Sequence, residues 1–292
     1  MVTSNLSFTA IDVICSALNC KPADITVVKQ LGSMTNRNIV FKAGSKKMYV
    51  LRNPGEGTSE LVDRAHEYET YQTIAKYNFS DELIAYDKDT GIKITKFVNK
   101  ASPCKPENMK SVAKCMSLLR SFHEKKIKVS YCFDFYEMID KYERLMHTSK
   151  YKTYDEVKAR IIQLVKFLPI TSNDFVLCHI DPNPDNFLIT NNRTYLIDWE
   201  YAGMQDPLVD VAMFAIYSGY SMKEVDDLLK LYLLREFASF ERDRLYAYIA
   251  ICGLLWSNWC EYKQEKGVYF GTYAYAQFAY ASEFSRYLLC SK

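Results

Sequence analysis

Short apolar runs separated by turn residues dominate the first third of the chain. Residues 25–31, 39–42 and 47–52 are rich in β-branched and aromatic side chains. The turn pairs Gly32-Ser33 and Gly44-Ser45 separate them. This pattern predicts three strands that are joined by short turns.

The hydrophobic period changes after the third strand. Apolar residues recur at helical spacing from Leu61 to Ala75, and Thr58 or Ser59 is the expected N-cap of this helix. Residues 92–98 alternate between apolar and polar positions again, which predicts a further strand.

The rest of the chain is mostly helical by its pattern. Residues 106–123 carry apolar residues on one face, including Met109, and residues 130–168 form a second helical region. The longest apolar run, residues 245–256, is too short to span a bilayer, which takes roughly 20 residues. We therefore interpret it as a buried helix.

One segment of this helical half has a strand pattern instead. Residues 187–190 and 194–197 are β-prone and flank Asn191-Asn192, which predicts a hairpin. If the hairpin closes there, Asp198 returns beside Asp185 or Asn186.

The loop before the hairpin carries a further carboxylate. Asp181 follows a short apolar run and precedes Pro182 and Pro184, which hold the loop extended. Asp181, Asn186 and Asp198 are then expected to meet at one end of a small sheet.

These side chains suit phosphoryl transfer. That reaction needs one carboxylate to orient an attacking hydroxyl, here Asp181, and a carboxylate and an amide oxygen to hold Mg²⁺, here Asp198 and Asn186. Glu200, two residues beyond Asp198 on an extended chain, is a further candidate ligand. Oxygen donors without clustered His or Cys favour Mg²⁺ over zinc.

Composition limits the class of protein. The chain has 292 residues, enough for two lobes, and 49% hydrophobic with 25% charged residues is typical of a globular protein. A net charge of +2 gives no reason to expect nucleic acid or an anionic membrane as a partner. Nine cysteines, an odd number without a CxxC pair, and a start that lacks the pattern of a secretion signal favour a cytoplasmic protein.

The order His179-x-Asp181-x-x-x-x-Asn186, followed by Asp198-Trp-Glu200, resembles the small-molecule kinases of the protein-kinase-like superfamily. Within it, the chain is most similar to the choline/ethanolamine kinases, including the bacterial LicA-type choline kinases. The D-W-E in place of D-F-G is characteristic of that branch. The resemblance implies ATP and Mg²⁺ as cofactors.

The resemblance also implies roles in the first lobe. The turn that contains Ser33, Thr35 and Asn36 would offer hydrogen-bond donors to nucleotide phosphates, although a plain hairpin turn has the same composition. Arg52 stands where protein kinases carry their ATP-binding lysine, and choline kinases have arginine there, so the resemblance implies that Arg52 contacts the nucleotide phosphates. Glu67 would hold Arg52, although a solvated helix-face charge would look the same.

Two more sites follow from the resemblance. Backbone groups around Phe97 to Asn99 would contact the adenine as the hinge. Trp256, Trp259 and Phe270 would form aromatic walls that hold a trimethylammonium group by cation–π attraction. Core packing explains the same aromatic residues without a ligand.

One departure from the family concerns the substrate cation. The family usually adds carboxylates near the trimethylammonium group, but residues 213–220 carry no acid here, and Tyr269 stands where one was expected. Asp181, Glu200 or a further residue that the sequence does not identify would then have to neutralise the cation.

The sequence thus predicts an α+β, two-lobed, protein-kinase-like fold, with a nucleotide-binding lobe at residues 1–98 and a catalytic and substrate-binding lobe at residues 99–292. The expected activity is ATP-dependent phosphorylation of choline or a related aminoalcohol. Alternatives are an ethanolamine or aminoglycoside-type phosphotransferase and a nucleotide-binding pseudokinase that acts as a scaffold.

Overall fold

The structure is a computed structural model. It describes residues 6–32, 36–55, 62–146, 148–168 and 172–290. The cap predicted at Thr58 or Ser59 lies outside the described residues.

Two compact units make up the chain. One consists of Met1–Pro103 and Phe187–Tyr201, and the other of Cys104–Asn186 and Ala202–Lys292. The first unit therefore includes the hairpin, whereas the predicted division has a single boundary after residue 98. The hairpin clusters with the first unit because its first strand pairs with Ser102–Pro103.

The first unit contains two helices and eight strands among the described residues. In chain order they are α1 (Phe8–Leu18), β1 (Ile25–Leu31), β2 (Arg37–Ala43), β3 (Met48–Asn53), α2 (Arg64–Ile74), β4 (Leu83–Tyr86), β5 (Lys93–Lys96), β6 (Ser102–Pro103), β8 (Phe187–Ile189) and β9 (Thr194–Leu196).

An antiparallel five-stranded sheet is the centre of this unit, with strand order β1-β2-β3-β5-β4. Its core consists of the inward-facing apolar residues of the strands together with Ala10 and Ile14 of α1. Burying this apolar surface is the main force that holds the helix on the sheet. The strands predicted from the alternating pattern are confirmed.

Helix α2 begins at Arg64, later than expected. The side chain of Asp63 caps it by accepting hydrogen bonds from the backbone N–H groups of Ala65 and His66. Asp is a strong N-cap residue, so the chain starts the helix there.

The second unit is mostly helical. Its elements are α3 (Met109–His123), α4 (Phe135–Leu145), α5 (Tyr154–Gln163), β7 (Val176–Cys178), β10 (Gly203–Gln205), α6 (Leu208–Ser218), α7 (Met222–Leu233), α8 (Ser239–Glu265) and α9 (Tyr273–Cys290). The predicted helices and the α+β class are confirmed, although Met109 is 48% exposed and does not belong to the core.

Helix α8 is buried along most of its length and packs closely against α9. A Cβ atom at Gly253 would lie 2.7 Å from the carbonyl oxygen of Gln277 and 2.8 Å from the backbone nitrogen of Ala281. The glycine therefore lets the two helix backbones approach, and a larger residue would have to separate them.

Two findings concern the cysteines and the helices. All nine cysteines, each of which lies in the described part of the chain, are free thiols. Among the described residues, no helix is both long and apolar enough to cross a membrane.

Candidate active site

Arg52, at the end of β3, lies in a buried ion network in the first unit. Its Nη1 and Nη2 atoms donate to the two carboxylate oxygens of Glu67 on α2, at 2.7 and 2.6 Å. Both side chains are almost inaccessible to water. Such a two-point contact fixes the guanidinium plane, and the predicted partnership of Arg52 with Glu67 has the expected geometry.

Lys93, on β5, is a second buried cation in this network. Its Nζ atom lies 2.9 Å from Oε1 of Glu67, 2.9 Å from the hydroxyl of Tyr71 and 3.3 Å from Oδ1 of Asp198. Only 4% of Lys93 is exposed. The sequence analysis missed this residue, because a lysine in a short alternating strand looks like a solvent-facing position.

Asp198 and Glu200 complete the network. Nη1 of Arg52 donates to Oδ1 of Asp198 and to Oε2 of Glu200, at 3.1 Å each. The extended chain that was expected here is wrong, because Asp198 has a φ of 68° and so lies in the left-handed region. The two carboxylates nevertheless approach the same guanidinium.

The neighbouring charges set the ionisation of the two carboxyl groups. Burial alone would raise the pKa of Asp198, but the charges of Lys93 and Arg52 outweigh it and lower the pKa to about 2. Burial and the negative charge of Asp198 raise the pKa of Glu200 to about 7, against the opposing effect of Arg52. Asp198 is therefore ionised at neutral pH, whereas Glu200 is protonated in part of the molecules there.

Only part of the predicted phosphate-binding turn can be described. Ser33 and Thr35 lie outside the described residues. Asn36 is 8% exposed, and its side-chain amide donates to Glu200 at 3.4 and 3.5 Å. Asn36 thus supports a carboxylate of the network, and its predicted contact with phosphate stays a prediction.

The predicted hinge borders a cavity in the first unit. The cavity has a volume of about 990 Å³, and Phe97 and Asn99 are among its lining residues. The backbone N–H of Phe97 already donates to the carbonyl of Met48 at 3.0 Å. A backbone donor for adenine would therefore have to come from Val98 or Asn99.

In the second unit, the loop after β7 is fixed by a buried aspartate. Asp210, in the first turn of α6, accepts hydrogen bonds from the backbone N–H groups of His179 and Ile180, at 2.9 and 2.8 Å. Nε2 of His123 lies 2.9 Å from the same carboxylate. Asp210 thus holds the backbone of this loop, and His123 contacts the carboxylate that does so.

This support is needed because Ile180 is strained. Its φ of 67° is unfavourable for a β-branched residue, and the side chain is fully buried. The two hydrogen bonds to Asp210 hold the backbone in this conformation, which orients the next residue, Asp181.

Asp181 is contacted by an amide and a phenol. Nδ2 of Asn186 donates to the backbone carbonyl of Asp181 at 2.9 Å and to its Oδ2 at 3.4 Å. The hydroxyl of Tyr217, on α6, donates to Oδ1 of Asp181. The side-chain N–H group of Asn186 thus faces Asp181. The side-chain oxygen of Asn186 is therefore the atom that suits a cation.

A chain of five aromatic rings leads from this tyrosine to the predicted walls. Ring centroids are 6.3 Å apart for Trp256 and Tyr217, 6.3 Å for Tyr217 and Tyr273, 6.5 Å for Tyr273 and Phe270, and 5.1 Å for Phe270 and Trp259. The three predicted wall residues therefore belong to one aromatic chain, and its member Tyr217 is hydrogen-bonded to Asp181.

Tyr217 is the second residue that the sequence analysis did not assign to the site. It lies in an almost uniformly apolar helix, where an aromatic residue looks like part of the core. Its contact with Asp181, which is distant in the chain, leaves no mark in the local sequence.

The donors present suit a magnesium ion. Oδ1 of Asp198 accepts from both cations, while among the described residues no group donates to its Oδ2. An ionised carboxylate oxygen and the amide oxygen of Asn186 are hard ligands of the kind that Mg²⁺ prefers. Their joint coordination of one ion stays a prediction.

Comparisons with known proteins indicate the family of the chain. A sequence model of the family described as choline/ethanolamine kinase matches residues 27–227, which is more than half of the chain. Protein LicA of Haemophilus influenzae is 27% identical over 259 residues, which cover 84% of this chain and 75% of that protein.

Solved structures are also similar. Choline kinase LicA from Streptococcus pneumoniae has 28% identity and a TM-score of 0.81, with 94% of this chain and 96% of that chain covered. A LicA solved in complex with AMP has 26% identity and a TM-score of 0.82, with 98% and 99% covered. A choline/ethanolamine kinase family protein from Mesorhizobium loti has 30% identity and a TM-score of 0.73, with 89% and 90% covered.

The extent of the family match, together with a fold shared over nearly the whole chain, identifies the protein as a member of the choline/ethanolamine kinase family, a phosphotransferase that acts on an alcohol.

Proposed function

We propose that the protein transfers the γ-phosphoryl group of ATP to the hydroxyl of choline and releases phosphocholine and ADP. The observation that carries this proposal is the contact between Tyr217 and Asp181, because it joins a carboxylate to a chain of aromatic rings. The proposed base for the hydroxyl and the proposed surface for a quaternary ammonium group thus belong to one unit.

The reaction assigns each group a task. The hydroxyl oxygen of choline forms a bond to the γ-phosphorus while the bond from that phosphorus to the β–γ bridging oxygen breaks, and ADP leaves with the electron pair. Asp181 accepts the hydroxyl proton. Hydrogen bonds from Asn186 and Tyr217 hold the carboxylate in place during this transfer.

Asn186 and Asp198 are the proposed ligands of Mg²⁺, with Glu200 as a further candidate. The ion, when bound, neutralises charge on the phosphate oxygens. Asp198 is suited to this role because it stays ionised well below neutral pH. Glu200 must lose its proton to bind a metal, and its pKa of about 7 makes that step dependent on pH.

The AMP complex of a similar LicA supports a nucleotide as co-substrate. We assign Arg52 and Glu67 to the support of this site rather than to direct nucleotide contact. Glu67 is buried beneath both cations, and the Nη atoms of Arg52 already donate to carboxylates and to the carbonyl of Gly91.

The aromatic chain favours choline over ethanolamine. A trimethylammonium group has no N–H to donate and is held by aromatic faces, whereas a primary ammonium needs hydrogen-bond acceptors. Trp256, Trp259, Phe270 and Tyr273 supply ring faces, and Asp181 is a carboxylate next to the chain. This arrangement supports the expectation that methylation of the amine improves the substrate.

A panel of acceptors tests the proposal. ADP formation is measured with ATP, Mg²⁺ and, in turn, choline, dimethylaminoethanol, ethanolamine and an aminoglycoside. We expect kcat/KM to rise with each added methyl group and to be highest for choline. A preference for ethanolamine or an aminoglycoside would replace the choline assignment, and nucleotide binding without ADP formation for any acceptor would indicate a pseudokinase.

A further inference from the structure

Lys93 is buried, and burying the charged ammonium group of a lysine costs free energy. It is the first residue of β5 and lies between Ile92 and Ile94, and all three residues are buried. A buried ammonium is tolerated only when hydrogen bonds and opposite charges compensate for lost hydration. Lys93 has such partners, since each of its three N–H groups has one acceptor: Glu67, Tyr71 and Asp198.

Glu67 alone does not account for this lysine. Arg52 already donates to both oxygens of Glu67, and the hydroxyl of Tyr86 donates to Oε2 at 2.8 Å. The Glu67 carboxylate would remain paired and hydrogen-bonded without Lys93. The contact that Lys93 adds, and that bears on the reaction, is the one to Asp198.

Arg52 alone does not hold Asp198 firmly either. Its Nη1 atom, which carries two hydrogens, faces three acceptors: Glu67, Asp198 and Glu200. The contact with Asp198 is therefore shared. Lys93 supplies a separate N–H to the same Oδ1 atom, and this second donor restrains the carboxylate more than the shared contact with Arg52 does alone.

We propose that Lys93 is a positioning residue for Asp198: together with Arg52 it binds Oδ1 and turns Oδ2 toward the Mg²⁺ that accompanies the nucleotide. This inference rests on the proposed function, because it concerns the same metal site. It adds a residue that acts through Asp198 and need not touch the metal, the nucleotide or choline.

The test compares ADP binding with and without Mg²⁺. Calorimetric titrations of ADP are performed in excess Mg²⁺ and in EDTA, and the ratio of the two dissociation constants defines the magnesium increment. Partners of metal ligands typically contribute roughly 10- to 100-fold to metal affinity. We therefore expect Lys93→Met to reduce the magnesium increment by at least about 10-fold, while the ADP affinity in EDTA changes by less than about 3-fold.

A matched control lies on the same strand. Lys96→Met removes an exposed ion pair with Glu82, whose atoms are 2.8 Å apart. Exposed pairs contribute little to stability, so this variant should keep the full increment. Tyr71→Phe removes one acceptor of Lys93 but leaves the contact with Asp198, and it should also keep the increment.

The possible results separate the proposals. An unchanged increment in Lys93→Met, or an equal loss of affinity with and without Mg²⁺, would overturn the role of Lys93. No increment in the unsubstituted protein would overturn the metal assignment itself, and the role of Lys93 with it. If Lys93→Met does not fold, Lys93→Gln, which keeps an N–H donor of similar length but not the charge, is measured in the same way with the same expected loss.

Discussion

Asp198 keeps its negative charge although most of its side chain is removed from water. About a quarter of the side chain is exposed, at 24%, and two cations contact one of its oxygens. The attraction by these cations exceeds the cost of burial, so the pKa falls to about 2. A permanently ionised carboxylate is thus available at the predicted metal site.

Glu200 has the opposite balance, which predicts a pH dependence of stability. Its pKa is about 7 in the folded protein and 4.5 ordinarily, so the folded state binds the proton more tightly than the unfolded state. Stability is therefore lost as the pH rises through this interval. Glu200→Gln removes the effect, and its advantage in unfolding free energy over the unsubstituted protein should grow with pH, by at most about 3 kcal/mol.

Chemical denaturation in EDTA measures this difference below, within and above that interval. The difference should rise between pH 4.5 and about 7 and stay constant at higher pH. A difference that does not change with pH would contradict the burial of an easily protonated Glu200.

Tyr217 allows a second prediction for a single residue. Tyr217→Phe keeps the ring in the aromatic chain but removes the hydroxyl that donates to Asp181. We expect kcat to fall by roughly 10-fold, since a hydrogen bond to a charged group contributes about 1.5–3 kcal/mol. The choline KM should change by less than about 3-fold.

Steady-state kinetics with choline as the varied substrate makes this measurement. Tyr217→Leu is the companion variant, because it also removes the ring and should raise the choline KM. A Tyr217→Phe enzyme with unchanged kcat would show that Asp181 does not depend on this hydroxyl.

At the level of elements, helices α8 and α9 and the turn between them carry the aromatic chain. Trp256 and Trp259 come from α8, Tyr273 begins α9, and Phe270 lies in the turn. The close approach of the helices at Gly253 fixes these elements against each other. The aromatic surface therefore depends on helix packing as well as on the rings themselves.

Trp259→Ala tests the role of this surface. A desolvated cation–π contact contributes about 2 kcal/mol, which corresponds to a rise in choline KM of roughly 30-fold. The ATP KM should change by less than about 3-fold. Tyr287→Ala is the control, because Tyr287 is another aromatic residue of α9 that packs on Tyr246 of α8, with ring centroids 5.5 Å apart.

Equal increases in the KM values for choline and ATP, or the same effect in Tyr287→Ala, would indicate that Trp259 only supports the packing of the helices. Melting temperatures of both variants are measured alongside, because Trp259 is 6% exposed and its removal also costs stability.

The elements were largely predictable because their patterns are local. Alternating residues gave the strands of the first unit, and Asn191-Asn192 between two β-prone runs gave the hairpin of β8 and β9. The start of α2 was less predictable, since several residues before it are possible caps and only the folded chain selects Asp63.

The site was predictable where a residue has a motif and not where its role comes from a distant contact. Arg52, Asp181 and Asn186 stand at motif positions. Lys93 and Tyr217 gain their roles from partners more than 30 residues away, at Asp198 and Asp181. No pattern within a strand or a helix carries that information.

At the level of the whole chain, the two units hold different parts of the proposed chemistry. The first contains the ion network around Asp198, and the second contains Asp181, Asn186 and the aromatic chain. The chain passes from the second unit to the first after Asn186 and returns after Tyr201. Asp181 thus belongs to the second unit and Asp198 to the first, although the two residues are close in the sequence.

The most direct test of the central claim is the identity of the product that the protein forms from ATP and choline in the presence of Mg²⁺. Phosphorus NMR should detect phosphocholine and ADP in equal amounts. Asp181→Asn should slow their formation by about 10²- to 10⁴-fold, as expected for the loss of a general base. ADP that accumulates without phosphocholine, or phosphocholine formed at an undiminished rate by Asp181→Asn, would contradict the account.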